Sequence, residues 1–264
     1  MGVLRRACAS LRPPDVRKEI VMLYYNNPGC DPRENLALEK YLMKDYASGE
    51  DIIMLWQGRP SVLIGRHQNT LEEVDPEYIR ENGLLVVRRV TGGGAVYQDM
   101  GNVNFSYIIR QGSGSLYDFR RFTAPVIEAL AAMGAHAEFN SRNDITIDGK
   151  KISGNAQYIY KNTVLHHGTL LFDSDLTALS KALRVQPDKI SSKGIRSVLS
   201  RVTNIADHLP QRAGVGEFKE RLLASLIKGA PAASELALSK EDRQRVGELV
   251  RDKYATCVRP AATS

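Results

Sequence analysis

Two runs of alternating apolar and polar residues, joined by Asp148-Gly149, constrain the fold of this chain more than any other feature. An Asp-Gly pair between such runs is typical of a two-residue β-hairpin, because both positions tolerate positive φ angles. The predicted register contains four facing pairs: Ile147 with Lys150, Thr146 with Lys151, Ile145 with Ile152, and Asp144 with Ser153. Alternation places Lys151 on the polar face and leaves Lys150 at the turn end of the isoleucine face. A lysine held in this way can bind an anion at a fixed point; the alternative is a solvated lysine on an exposed hairpin.

Three consecutive glycines, Gly92 to Gly94, follow a predicted strand at residues 84–89. Such a loop can adopt positive φ angles and direct several backbone N–H groups at one anion, and Arg89 adds a full positive charge. The segment matches neither the Walker P-loop nor the dinucleotide-binding fingerprint, because the required spacings are absent. The pattern predicts a phosphate or carboxylate site, with a tight turn at a sheet edge as the alternative.

Two adjacent histidines, His166 and His167, lie in a predicted strand at residues 163–172. Neighbouring strand residues point to opposite faces of a sheet, so the two imidazoles cannot bind one metal ion. At most one of them is predicted to line a pocket. The alternative for either is a hydrogen-bonded structural histidine.

The rest of the chain predicts strands and helices in irregular alternation. Helix starts are indicated at Asp31-Pro32 and Asp75-Pro76, where aspartate can cap the helix and proline takes its first position. Residues 57–60, Gln-Gly-Arg-Pro, predict a hairpin between strands at 52–56 and 61–65. Later elements are a strand at 103–109, helices at 119–133 and 217–228, and a last helix capped by Ser239. This order predicts an α/β (α+β) fold with mixed β-sheets and flanking helices rather than a doubly wound parallel sheet.

Composition and charge exclude several classes of protein. The 264 residues are 43% hydrophobic and 25% charged, which is typical of a globular domain. No stretch approaches the roughly 18 apolar residues of a membrane-spanning helix. Of the net charge of +6, residues 1–21 carry +3 and residues 251–264 carry +2, so the near-neutral body disfavours nucleic-acid binding. Three cysteines without metal-ligand spacing (Cys8, Cys30 and Cys257) indicate neither a disulfide framework nor a zinc site, and a cytoplasmic location is expected.

Together these segments resemble the lipoate-protein ligase A family. The matching residues occur in the family's order over about residues 22–209: Arg88-Arg89, Thr91 to Tyr97, Asp99, Gly101-Asn102, Arg142-Asn143-Asp144, Lys151, Ser153 to Ala156, His166 to Leu171, and Ser197 to Asn204. One departure is Gln98, where most members have a histidine. An amide keeps the hydrogen bonding without a charge, so adenylation is expected to survive that change.

The resemblance implies the mixed α/β catalytic fold that lipoate ligases share with class II biotin ligases and octanoyl transferases. It also implies a two-step reaction. Lipoate and ATP, accompanied by Mg²⁺, first give lipoyl-adenylate and pyrophosphate, and the lipoyl group then passes to a lysine of a carrier domain. The implied partners are the lipoyl domains of 2-oxoacid dehydrogenase E2 subunits and the glycine cleavage H protein, with no nucleic acid and no membrane.

The same resemblance assigns the site residues. Lys151 matches the family's essential lysine, which bridges the lipoate carboxylate and the α-phosphate. The implied ATP-binding residues are Arg89, Gly94, Ala95, Val96, Tyr97, Asn143, Asp144 and Lys151. The implied lipoate-binding residues are Gly93, Lys151, Ser153 and His167, and Asp144 is also the implied magnesium ligand.

The expected organisation is an N-terminal extension without ordered structure at residues 1–21, a catalytic domain at 22–250 and a short tail at 251–264. Met22 is a candidate natural start. Residues 253–256 resemble the linker that leads to an accessory domain in long members, and no such domain follows in this sequence. Either a separate polypeptide supplies that domain or the chain is a truncated form. The chain is therefore expected to transfer the lipoyl group but to form the adenylate slowly, or not at all, without a partner polypeptide.

Two alternatives to a self-contained ligase remain open. One is a subunit of a two-polypeptide ligase. The other is an acyl transferase of the same fold that takes octanoyl or lipoyl from a carrier or from a preformed adenylate. A cysteine nucleophile is disfavoured, because none of the three cysteines lies in a matching motif.

Overall fold

The computed structural model describes residues 21–110, 118–140, 142–184, 199–228, 230 and 232–255. Cys8, Cys257 and residues 1–20 of the predicted extension lie outside these ranges. The strands are β1 (Val21–Asn26), β2 (Asp51–Trp56), β3 (Ser61–Ile64), β4 (Leu85–Arg88), β5 (Val96–Gln98), β6 (Asn102–Arg110), β7 (Glu138–Phe139), β8 (Asp144–Ile147), β9 (Lys150–Tyr160), β10 (Thr163–Leu171) and β11 (Ala232–Glu235). The helices are α1 (Pro32–Lys44), α2 (Thr70–Glu73), α3 (Pro76–Glu81), α4 (Phe119–Ala132), α5 (Leu176–Ala182), α6 (Val215–Ile227) and α7 (Lys240–Leu249), with a 3-10 turn at Ile205–His208 and a π-helical turn at Val250–Tyr254.

The strands form a large and a small sheet. The large sheet has the order β11-β1-β2-β6-β10-β9-β8-β7, and the small sheet has the order β4-β3-β5. Strand β1 pairs in parallel with both of its neighbours, whereas β6 pairs antiparallel with β2 and β10. The small sheet is also mixed, since β3 is parallel to β4 and antiparallel to β5. The predicted mixed α/β architecture is confirmed.

Both faces of the large sheet are covered by helices. Along β2, Ile53 and Leu55 join a core with α4 and α6, while Ile52 and Met54 join a core with α1. Alternate residues of the strand therefore enter opposite cores, which explains why β2 is a continuous apolar run. Sequence also located the helix starts correctly, because Asp31, Asp75 and Ser239 each accept a capping hydrogen bond from their helix.

The predicted hairpin across residues 57–60 is wrong. Strand β2 pairs with β1 and β6 in the large sheet, whereas β3 pairs with β4 and β5 in the small one. Both runs are buried along nearly their whole length, so neither shows the alternation that would have specified a partner. The turn residues mark only where the chain changes direction. The backbone N–H of Arg59 donates to the carbonyl of Cys30 at 2.8 Å, as the chain crosses between the sheets.

The boundary predicted at residue 250 is also too early. The chain continues from α7 into the π-helical turn Val250–Tyr254, and the ring of Tyr254 is 2% exposed in the core beside α1. Residues 251–254 therefore belong to the folded domain rather than to a tail.

That turn brings Lys253 beside Lys44 and Arg66, and burial, followed by the neighbouring cations, lowers the pKa of Lys253 to about 8. Because this pKa lies below the unfolded value of 10.5, the charged amine opposes folding fully below pH 8, and the penalty fades as pH rises from about 8 to 10.5. We expect Lys253→Gln to raise the free energy of unfolding at pH 7, but by less than about 1 kcal/mol, since solvent screens a half-exposed charge.

Urea unfolding of both proteins at pH 7 and pH 10 measures this effect. The gain should shrink at pH 10, and Lys150→Gln, at an exposed position, should show no gain at either pH. An equal gain from Lys253→Gln at both pH values would contradict the electrostatic explanation.

Candidate active site

The hairpin that carries Lys151 forms as predicted at its turn and departs from prediction further along. Asp148 and Gly149 adopt φ angles of 51° and 72°, as a two-residue turn requires. Two facing pairs are confirmed: Ile147 with Lys150, and Thr146 with Lys151. Two predicted pairs are wrong, because Ser153 faces Ile145 and Gly154 faces Asp144. The cause is a β-bulge that inserts Ile152 as one extra residue in β9.

The bulge decides what surrounds the Lys151 ammonium. Ser153 turns to the core side and is 1% exposed, whereas Gly154 takes the side that Asp144 and Lys151 share. Lys151 Nζ lies 2.8 Å from Asp144 Oδ1, and a Cβ on Gly154 would lie 2.8 Å from the same nitrogen. The absence of a side chain at Gly154 thus leaves the space that the ammonium occupies.

The main chain of Lys151 is held from a second side by the segment Arg201-Val202-Thr203. Lys151 N–H donates to the carbonyl of Arg201 at 2.7 Å, and the N–H of Thr203 donates to the carbonyl of Lys151 at 3.1 Å. These two bonds form an isolated parallel bridge between Lys151 and Val202. The late Arg201 to Asn204 motif therefore fixes the backbone from which the lysine side chain extends.

Arg89 lies beneath the glycine loop and is 6% exposed. Its Nε donates to Thr91 Oγ1 at 2.9 Å, its Nη1 to the carbonyl of Leu63 at 3.1 Å, and its Nη2 to the carbonyls of Gly92 and Gly94 at 2.8 Å. Burial lowers its pKa to about 10, so the guanidinium stays charged at neutral pH. The guanidinium thus shapes the loop by binding its carbonyls, in addition to supplying the predicted charge.

The loop itself presents its backbone to the pocket. Among the described residues, the N–H groups of Gly92, Gly93 and Gly94 donate to no other group. Gly93 has a φ of 94°, which disfavours any residue with a side chain. Gly65 packs so closely beneath it that a Cβ there would lie 2.1 Å from the carbonyl oxygen of Gly93. Unpaired N–H groups above a buried cation can bind an anion, as the glycine pattern predicted.

The loop and the lysine meet in one pocket, with about 550 Å³ of empty space including its open mouth. Eight of the predicted site residues line it: Arg89, Gly93, Gly94, Ala95, Val96, Asn143, Lys151 and His167. Three do not line it. Tyr97 packs in the core of the small sheet, Ser153 is turned away by the bulge, and Asp144 reaches the pocket only through its ion pair with Lys151.

Other lining residues were not predicted as site residues: Trp56, Leu63, Gln98, Asn104, Gly154, Asn155, Ala156, Gly168 and Thr169. Five of these lie within motifs that the sequence analysis singled out, so their position beside a predicted site residue was the available signal: Gly154, Asn155, Ala156, Gly168 and Thr169. Trp56 and Leu63 lie in short apolar runs, which predict buried strand residues and give no sign of a site. Gln98 is fully buried and shares hydrogen bonds with Asn102 and Asn104, and their Asn-x-Asn alternation in β6 was a signal that sequence reasoning missed.

The two histidines face opposite sides of β10, as predicted. His167 lines the pocket, whereas His166 stacks on Phe122 with ring centroids 4.7 Å apart. Burial, and then the neighbouring His167, lower the pKa of His166 to about 3, so it stays neutral in the core. The prediction that at most one histidine lines a pocket is confirmed.

A metal ion could be held here only with help from a ligand. Within the described residues, no group of three or more His, Cys, Asp or Glu side chains is placed to bind a metal. Asp144 supplies one carboxylate beside Lys151, which fits Mg²⁺ if phosphate oxygens and water complete its coordination.

Across the described residues, no helix has the length and apolar character needed to cross a membrane.

Comparison with known proteins identifies the family. A model of the lipoyl protein ligase A/B catalytic domain matches residues 31–227. The chain belongs to this family. Lipoate-protein ligase LplJ of Bacillus subtilis is 42% identical over 236 residues, which cover 88% of this chain and 71% of that protein.

Solved structures of family members share the fold. A bi-partite lipoate protein ligase of Thermoplasma acidophilum, studied with its E2 lipoyl domain, gives a TM-score of 0.78 at 30% identity, covering 89% of this chain and 93% of that one. A lipoate-protein ligase A bound with ATP gives 0.76 at 29% identity, covering 90% and 96%. The resemblance inferred from the motifs is thus confirmed over most of the chain.

Proposed function

We propose that the protein is an ATP-dependent lipoate-protein ligase, which activates lipoate as lipoyl-adenylate and transfers the lipoyl group to a lysine of a carrier protein. The observation that carries this proposal is the pocket lined by both Lys151 and the glycine loop, whose N–H groups have no hydrogen-bond acceptor among the described residues. Its support from known proteins is the family match and the relatives named as lipoate-protein ligases.

In the first step, a carboxylate oxygen of lipoate attacks the α-phosphorus of ATP, a new P–O bond forms, and pyrophosphate leaves. Two anions must approach each other, so the positive charge of Lys151 reduces their repulsion and stabilises the charge that develops in the transition state. Asp144 keeps the ammonium at a fixed place at 2.8 Å. The parallel bridge to Val202 holds the main chain of Lys151, so that only its side chain can move.

In the second step, the neutral amine of the acceptor lysine attacks the acyl carbon and an amide bond forms. The bond between the acyl carbon and the phosphate oxygen breaks, AMP leaves, and the nitrogen loses a proton to water. The glycine loop holds the departing phosphate through its N–H groups, and buried Arg89 adds a positive field beneath it. The proposed ATP-binding residues are Arg89, Gly94, Ala95, Val96, Asn143 and Lys151, and the proposed lipoate-binding residues are Gly93, Lys151 and His167. Tyr97 and Ser153 could act on a ligand only through neighbouring residues.

Magnesium would be held by Asp144 together with the phosphates and would neutralise part of their charge. The proposed acceptors are lipoyl-carrier domains. The E2 lipoyl domain studied with the T. acidophilum ligase supports that class, and the glycine cleavage H protein is a second proposed acceptor. An acyl transferase that starts from a preformed adenylate is the alternative function, since the same pocket would bind its substrate.

Exchange of labelled pyrophosphate into ATP separates the two functions. If the chain is a self-contained ligase, it catalyses this exchange in the presence of lipoate and not in its absence, because only adenylate formation is reversed by pyrophosphate. A parallel assay follows transfer to a carrier domain from synthetic lipoyl-adenylate. Transfer without any lipoate-dependent exchange would overturn the self-contained ligase and would leave the transferase or a subunit of a two-polypeptide ligase.

A further inference from the structure

A charged residue, Glu39, lies inside the core behind the pocket. It stands on α1 three residues from both Leu36 and Leu42, on the buried side of the helix, and its exposure is zero. A carboxylate is rarely buried without a partner, because losing water is costly for an ion. Its partners therefore explain why it is there.

Three buried side chains connect Glu39 to the glycine loop: His167, Thr91 and Arg89. The Glu39 carboxylate lies 3.0 Å from His167 Nδ1, and His167 Nε2 lies 2.8 Å from Thr91 Oγ1. Thr91 Oγ1 in turn accepts the 2.9 Å hydrogen bond from Arg89 Nε. Each of these residues is less than 9% exposed. Arg89 then holds the carbonyls of Gly92 and Gly94.

The direction of these hydrogen bonds follows from the first and last members of the series, Arg89 and Glu39. Arg89 can only donate and an ionised carboxylate can only accept. The assignment that uses every group has Arg89 donating to Thr91, the Thr91 hydroxyl donating to His167 Nε2, and His167 Nδ1–H donating to Glu39. His167 is then neutral, with its proton on Nδ1, and its two nitrogens have different partners.

We propose that Glu39 is a positioning residue for the nucleotide loop: its carboxylate fixes the Nδ1–H tautomer of His167, and its charge offsets that of buried Arg89. The proposal rests on the proposed function, because the loop is taken to bind ATP. Glu39 acts through His167, Thr91 and Arg89, and it is not among the residues that line the pocket. Burial lowers the pKa of Arg89, and the negative charge of Glu39 acts in the opposite direction.

The chain offers a matched control. Glu39 Oε1 also accepts a 2.5 Å hydrogen bond from Ser106 Oγ, and Ser106 is as fully buried as Glu39 but stands outside the path to Arg89. Ser106→Ala therefore removes a hydrogen bond from the same carboxylate, together with the one that Ser106 Oγ accepts from Trp56 Nε1 at 3.1 Å, without interrupting that path. If Glu39 only stabilised the core through its hydrogen bonds, Ser106→Ala and Glu39→Gln would weaken ATP binding to a similar extent.

The affinity for ATP is measured by calorimetry for Glu39→Gln, Thr91→Val, the double variant and Ser106→Ala. Each of the two single variants is expected to weaken ATP binding about tenfold, and the double variant by about the same factor, since both interrupt one path. Ser106→Ala is expected to stay within about twofold of the wild type. Losses that multiply to about a hundredfold in the double variant, or an equal loss in Ser106→Ala, would overturn the proposal.

Nitrogen NMR of the histidine-labelled wild-type protein gives a second measurement that needs no variant and no turnover. His167 Nδ1 is expected to carry the proton and Nε2 to be unprotonated. A proton on Nε2 would overturn the proposal even if Glu39→Gln failed to fold or ATP did not bind. Loss of the pyrophosphate exchange alone, with the tautomer and the ATP affinities as expected, would contradict only the ligase function.

Discussion

Lys151→Ala is expected to lower lipoate-dependent ATP–pyrophosphate exchange by about 100- to 1,000-fold, the range found when one group that stabilises transition-state charge is removed. The structure gives the reason, because Lys151 Nζ projects into the pocket beside the glycine loop and no other lysine lines it within the described residues. The rate of exchange at saturating ATP and lipoate measures the effect. Retained folding is checked by thermal unfolding.

Lys150→Ala is the matched control for this variant. The two lysines are adjacent, but Lys150 is exposed and pairs with Ile147 at the turn end of the hairpin, away from the pocket. Its removal should leave exchange within about twofold, as most exposed substitutions do. Comparable losses in the two variants would show that overall positive charge at the hairpin, rather than the position of Lys151, matters.

Gly65→Ala is expected to weaken ATP binding about 100-fold, because a hydrogen bond from an N–H group to a charged phosphate contributes about 1.5–3 kcal/mol and the displaced loop would lose at least one. The added methyl group would lie 2.1 Å from the carbonyl oxygen of Gly93, much closer than atoms can approach. The glycine loop must therefore move, and with it the N–H groups that are proposed to bind phosphate. Calorimetric titration with ATP measures the change.

Gly49→Ala controls for the general effect of adding a methyl group to a glycine. No atom lies within 4 Å of the Cβ position at Gly49, which is outside the site, so ATP affinity and unfolding temperature should match the wild type. If Gly65→Ala folds and binds ATP within twofold of the wild type, the close contact with Gly93 does not set the loop conformation.

The hairpin shows both how far sequence could predict this site and where it stopped. Asp148-Gly149 specified the turn, and the two pairs nearest the turn followed correctly. The bulge could not be foreseen, because one extra residue in a strand leaves the neighbouring alternation intact on either side. Its effect was large, since it exchanged the places of Ser153 and Gly154 beside Lys151.

Contacts between distant segments were harder to predict than local structure. The glycine loop and Lys151 could be recognised separately, but nothing in either segment indicates that Arg201 and Thr203 hold the Lys151 backbone. Glu39 did leave a signal, because a charged residue among the buried positions of an amphipathic helix is uncommon. Its partner His167 lies 128 residues away, and that distance in sequence hid the connection.

Because of the parallel bridge to Val202, the main chain of Lys151 is ordered when the protein folds, before any substrate binds. Fixing the main chain of a residue costs about 1–2 kcal/mol of conformational entropy, and here that ordering is complete once the chain has folded. What remains to be restricted when substrates arrive is the side chain, whose ammonium group already contacts Asp144, at a cost of at most about 2 kcal/mol. Substrate binding energy that would otherwise immobilise the hairpin is thereby left for bringing the carboxylate and the α-phosphorus together.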